Sequence, residues 1–176
     1  LSLFLTSCTA SQITIPDDTL VTTSFEHYEV HEGDHFNYCN YTTLGNMASI
    51  DFSVVTPDSL EYNHMLWELS STQATIFQVK EGSVVDTTGT LIIPFNNQRN
   101  SDKTSNITLR IGDNFTNEGN VIYSSYLGSN RLGGNIKRTS EIVLKSNTTY
   151  IFRMTNTQAT NTILSYCGEW YQHTFS

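Results

Sequence analysis

Histidine is scarce in this chain, five residues in 176, and three of the five crowd into one short stretch: His27, His31 and His35. Glu26, Glu29, Glu32 and Asp34 lie among them. Imidazole nitrogen and carboxylate oxygen together are a donor set for zinc or iron. On an unbroken strand His27, Glu29, His31 and His35 share one face. Gly33 interrupts that strand, however, and a metal site ordinarily draws a ligand from a second element. The other histidines are His64 and His173. The expectation is therefore a polar strand ending in the acidic turn Glu32-Gly33-Asp34, with no metal ligands assigned.

The remaining chemistry-bearing residues are weaker still. Serine is abundant, but no G-x-S-x-G elbow presents a nucleophile, and no cysteine carries a local catalytic signature. Asp51, Glu68 and Glu169 could supply paired carboxylates for glycoside hydrolysis, yet alternation places such residues on solvent faces by default. Leu132-Gly133-Gly134-Asn135 lacks the lysine and the strand-to-helix context of a phosphate loop. Glu169-Trp170-Tyr171 could form a sugar-stacking platform. Alternation sends Trp170 and Tyr171 to opposite faces, so one ring belongs to the core and the other to the surface. The reading is non-enzymatic, with no catalytic, cofactor-binding or metal residues and no cofactor.

The elements that would carry such residues are strands. Thr, Ser and Asn make up 60 of the 176 residues, against four Ala and four Lys. That excludes a helical bundle, a coiled coil and a nucleotide-binding α/β domain, because helices favour Ala, Leu, Lys and Glu. Period-two alternation predicts strands over Phe25–Val30, His35–Tyr41, Ser49–Val55, Met65–Leu69, Thr75–Glu81, Asn106–Ile111, Val121–Leu127, Glu141–Lys145, Thr148–Thr155 and Thr162–His173. Leu91–Phe95 is apolar, but Pro94 marks it as an edge or bulge. Thr56-Pro57-Asp58-Ser59 is a turn, and Lys145-Ser146-Asn147-Thr148 reads as a hairpin turn. Residues 96–105, 112–119 and 128–140 read as loops.

About ten strands without a convincing helix imply an all-β, single-domain β-sandwich, jelly-roll-like, with an N-terminal arm. The arm covers residues 1–24, where Ile13, Ile15 and Val21 could add an edge strand, and the sandwich covers residues 25–176. No internal repeat is evident. Leu5-Thr6-Ser7-Cys8 resembles a lipoprotein processing box, but no basic segment precedes it and the apolar run is short. An apolar arm is the expectation there. Three cysteines, Cys8, Cys39 and Cys167, show no CxxC spacing. Cys39 and Cys167 both fall in strands and could pair, and buried free thiols are the expectation. The sequons at Asn40, Asn106, Asn114 and Asn147 are common in a chain this rich in Asn and Thr.

A formal charge of −8 offers no basic footprint for nucleic acid and no attraction to anionic membranes. No apolar run approaches the ~18 residues of a transmembrane helix.

Four segments taken together carry a resemblance: Glu29–Phe36 (EVHEGDHF), Asn96–Ser101 (NNQRNS), Glu141–Arg153 (EIVLKSNTTYIFR) and Ser165–His173 (SYCGEWYQH). In this order the set resembles tailed-bacteriophage virion structural proteins similar to capsid decoration (cement) proteins, from about Thr22 to the end. The resemblance implies a homotrimer on the outer capsid surface that bridges major capsid protein subunits and braces the shell. The alternative is a trimeric receptor- or glycan-binding head of a phage fibre. Further rivals are a cupin-like metal protein using His27, His31 and His35, and a surface lipoprotein anchored through Cys8.

Overall fold

In a computed structural model of the chain, which describes residues 24–128, 134–137 and 140–174, one helix and fourteen strands follow in order. They are α1 (Phe25–Glu32), β1 (His35–Leu44), β2 (Ser49–Val55), β3 (Tyr62–Ser71), β4 (Thr75–Glu81), β5 (Val84–Thr87), β6 (Thr90–Ile92) and β7 (Phe95–Asn96). These are followed by β8 (Thr108–Ile111), β9 (Asn114–Asn117), β10 (Asn120–Leu127), β11 (Gly134–Lys137), β12 (Ile142–Leu144), β13 (Thr149–Asn156) and β14 (Thr162–His173). The arm expected over residues 1–24 lies, apart from Ser24, outside the described residues, as does Cys8.

The strands form an all-β sandwich. One sheet runs β11-β3-β14-β1-β7, with β12 also on β3, and the other runs β10-β4-β13-β2-β8-β6. Every pairing is antiparallel. Alternation builds the core between them. Met65, Trp67 and Leu69 of β3 face Phe77 and Val79 of β4 and Tyr150, Phe152 and Met154 of β13. Trp67 lies edge-on to Phe77, Tyr123 and Phe152, with ring centroids 5.4–5.8 Å apart, the arrangement aromatic quadrupoles favour. Trp170, only 2% exposed, donates its indole N–H to Ser105 Oγ at 2.9 Å. At one end of the sandwich the buried hydroxyls of Thr75 and Thr162 both bond that of Ser71.

Several expected elements differ. Phe25–Glu32 is a helix, not a strand. Ser24 caps its N-terminus by accepting from the His27 N–H, and Gly33 ends it at φ +79° with backbone bonds back to Glu29 and Val30. These are local capping signals that an alternation count does not register. The Lys145–Thr148 turn is not a hairpin. It carries the chain from β12, on β3, to β13 in the opposite sheet. The loops expected over 112–119 and 128–140 contain β9 and β11. Pro94 does mark an edge: β6 ends before it in one sheet, and β7 begins after it in the other.

The two-stranded β5–β9 ladder lies on the outside of the second sheet. Glu118 takes hydrogen bonds from Lys80 and Arg153, and Arg153 forks onto Asp51 at 2.6–2.7 Å. The Glu118 carboxyl is held down to about 2, first by the Arg153 hydrogen bonds and then by Lys80. Asp113 accepts from Ser53 Oγ and the Gly89 N–H, both at 2.5 Å. Underneath, the outward-facing Ile151 is wholly buried.

A structural repeat underlies this cover, although none was evident in the sequence. β4-β5-β6 and β8-β9-β10 use glycines at matching places: Gly82 and Gly112 both at φ +77°, then Gly89 and Gly119. Each of the second pair is pinched against the other unit's backbone. A Cβ on Gly89 would stand 2.2 Å from the Ile111 carbonyl oxygen, and one on Gly119 2.3 Å from that of Glu81. Among the described residues no helix is long and apolar enough to cross a membrane.

Two glycines give opposite expected outcomes. Gly119→Ala, at φ +74° and without room, should cost about 2 kcal/mol or more. Gly168 lines an apolar core hollow of about 60 Å³, between Tyr38, Phe52, Tyr166 and Trp170, and a Cβ there meets nothing within 4 Å. Gly168→Ala should therefore stabilise by up to about 1 kcal/mol. Urea unfolding of the three proteins checks both signs.

Candidate functional site on the outer face of the helix-bearing sheet

The parity that sends Phe36 and Trp170 inward sends their neighbours outward. On the outer face of the first sheet stand His35, Asn37, Cys39 and Tyr41 of β1, and Cys167, Glu169, Tyr171 and His173 of β14. Tyr62, His64, Leu66 and Glu68 of β3 complete the face. The register places His35 opposite Tyr171, and Tyr171 opposite His64. Their rings stack in a row across three strands: His35 to Tyr171 at 6.2 Å and Tyr171 to His64 at 4.6 Å, with His173 a further 4.9 Å from His64.

Carboxylates roof this row. Glu141 accepts the Tyr171 hydroxyl at 2.5 Å and lies 3.0 Å from His64 Nδ1. Glu26, on α1, lies 3.7 Å from His35 Nε2. The helix packs against β1 and β14, and Tyr171 is buried despite facing outward. The expected split, one ring of Trp170–Tyr171 in the core and one at the surface, fails on this account. Both rings are covered, so the pair offers no exposed sugar platform.

Burial shifts the protonation of this face. It is the leading cause in holding the His35 imidazole below its ordinary range, against the opposing pull of Glu169 and Glu26. His173 is lowered by burial and then by His64. The Tyr171 hydroxyl is pushed up by burial and by Glu141. Glu29, buried under the helix, is raised to about 7 by burial first and then by Asp34 and Glu32, with Lys103 opposing.

The histidines grouped in the sequence separate. The helix brings His27 and His31 together at i and i+4, with their Nε2 atoms 2.9 Å apart and both side chains exposed. His35 leaves for the sheet, where its donor atoms and those of Glu26 and Glu169 all lie within 4.8 Å of one another. The carboxylate candidates also part: Asp51 is bound to Arg153 on the second sheet, while Glu68, paired with Lys137 at 3.5 Å, and Glu169 lie on the first. Cys39 and Cys167 are directly opposed in register and joined as a disulfide. The expected buried free thiols are thus corrected. Both residues fall on the outward parity of their strands, and Cys39 is exposed. The inward parity of Phe36 and Trp170 was the available signal for this.

The fold and this face define the class as an all-β sandwich with an ionisable aromatic and imidazole cluster outside its core. No family model matches the chain, and no curated protein matches its sequence.

The raised Glu29 carboxyl fixes a sign. The folded state holds its proton up to about pH 7, whereas the unfolded chain releases it near 4.5. This group's contribution is therefore complete below pH 4.5 and is lost as pH rises through 7. His35 and His173, both lowered, act oppositely below about 6.5, in wild type and variant alike. Glu29→Gln should stabilise by about 2–3 kcal/mol at pH 8 and by little at pH 4.5. Denaturant unfolding at several pH values gives the difference profile.

Proposed function

We propose that the chain is a non-enzymatic structural protein of a tailed-phage particle. In this reading it acts as a decoration protein that sits on the outer capsid surface as a trimer and bridges major capsid protein subunits. The observation that carries the reading is the pair of opposite edges of the second sheet. On one edge β10 exposes Val121, Ile122 and Tyr126, and on the other β6 exposes Leu91, continued by Ile93 and by Phe95 where the chain crosses to β7 at the edge of the first sheet. Different patches on opposite sides of one subunit suit a head-to-tail contact that closes into a ring. The jelly-roll expectation is supported by strand order. β1-β14-β3-β12 lie side by side in one sheet and β2-β13-β4-β10 in the other, the eight-strand, two-sheet plan common among capsid proteins. A charge of −8 favours the outside of a DNA-filled shell.

Native mass spectrometry of the full chain should give a trimer. Ile93→Lys and Tyr126→Lys, one on each edge, should each yield a folded monomer by circular dichroism. A wild-type monomer at tens of micromolar overturns the ring. Cryo-EM of particles should place the copies on the outer shell, and copies on the tail or inside the shell overturn the decoration reading.

The disulfide favours a second reading, a protein working outside a cell, because such bonds persist in oxidising compartments. Cell fractionation separates the two readings: a chain exported and retained on a cell surface supports the second, and a chain found only in particles supports the first.

A further inference from the structure

The geometry points to a divalent transition-metal site formed by Glu26, His35 and Glu169 at the junction of α1 with β1 and β14. The three donors come from three elements that the fold, not the sequence, brings together. Around an ion with bonds of about 2.0–2.2 Å, neighbouring ligand atoms stand roughly 3–4 Å apart. Glu26 and His35 Nε2 are already 3.7 Å apart, and all three donors fall within 4.8 Å.

The imidazole is held as a ligand would be. His35 is 3% exposed and lies against Tyr171 on one side. On its other nitrogen the Asn97 side-chain amide contacts Nδ1, while the Asn97 backbone N–H donates to the His35 carbonyl at 2.8 Å. An amide fixing the far nitrogen is the outer-shell device that aims a ligating histidine. Asn97 Oδ1 takes a hydrogen bond from Asn37 Nδ2. With both amides turned over, which keeps that pair bonded, the Asn97 oxygen accepts from Nδ1–H and the Nε2 lone pair is free on the side of Glu26, 3.7 Å away.

Charge argues the same way. Two carboxylates converge on one imidazole, and the nearby ammonium groups are engaged elsewhere, Lys103 with Asp34 and Lys137 with Glu68. A cation between Glu26, His35 and Glu169 balances them. One nitrogen and two oxygen donors, completed by water, suit Zn²⁺ or Mn²⁺ better than Ca²⁺ or Mg²⁺, which take oxygen ligands.

Calorimetric titration of ZnCl₂ into the chelator-treated full chain tests this. One equivalent should bind, and Glu26→Gln and Glu169→Gln should each weaken binding at least tenfold. A His27→Ala/His31→Ala double variant should retain it, which separates the site from the exposed pair on α1. Thermal melts should show Zn²⁺ raising the wild-type Tm but not that of Glu169→Gln, because the ion ties the helix to the sheet. Absence of one-equivalent binding overturns the site. So does wild-type affinity in both glutamine variants, or loss of binding in the double histidine variant.

Discussion

Strand β14 is the constraint on which the rest of the structure depends. Over ten consecutive residues each, it pairs with β1 on one side and β3 on the other. Because side chains alternate along a strand, this double register decides the contents of both faces at once. Leu164, Tyr166 and Trp170 go into the core. Cys167, Glu169, Tyr171 and His173 go outward, and each meets the partner that register dictates. Cys167 meets Cys39, and Tyr171 meets His35 and His64. A slip of one residue would bury the glutamate and expose the tryptophan, and the core would resist that strongly. The disulfide, the stacked rings and the carboxylate-lined junction under α1 are one consequence of a single pairing.

The second sheet shows the same economy with charge. Lys80 and Arg153 stand on its outer face, where buried cations would be costly alone. The β5–β9 cover brings Glu118 and Asp113 to that face, so Lys80, Arg153 and the Ser53 hydroxyl each find a partner there. The pinched Gly89 and Gly119 allow two backbones to approach closely enough for this. Arg153 shows why the lid is more than a loop, since its guanidinium joins Asp51 of β2 to Glu118 across layers.

What the sequence made legible follows from where side-chain period dominates. β2, β4 and β14 fall within the stretches that alternation marks, and the core follows from them. α1 escaped because its apolar residues are few and its signals are local, a capping serine and a terminating glycine. The Lys145–Thr148 turn was visible, but which sheet the next strand joins is a non-local choice that no turn residue encodes. The candidate site was half legible. His35 and Glu169 each sit on a readable strand, yet their meeting requires the β1–β14 register, and Glu26 arrives only through the helix. The separation of His35 from His27 and His31 has the same cause: 3.6 residues per turn puts His27 over His31 and directs the chain away after Gly33.

The edges of the two sheets differ in a way that bears on assembly. The first sheet ends in the two-residue β7 on one side and in the short β11 and β12 on the other. Short edge strands offer little template to another chain. The second sheet ends in β10, eight residues reading NVIYSSYL, with no charge and no proline. Its register shift between Val121 and Tyr123 twists one end, but the stretch to Leu127 remains regular. Beyond that bulge, an edge this long and uncharged, with Val121, Ile122 and Tyr126 exposed, has no charge or proline against strand addition. Among the described residues, the chain protects the edges of the first sheet and leaves the β10 edge of the second open. That asymmetry suits the subunit contact proposed above, and in that proposal the contact falls on the strand rather than on the face that carries the imidazoles.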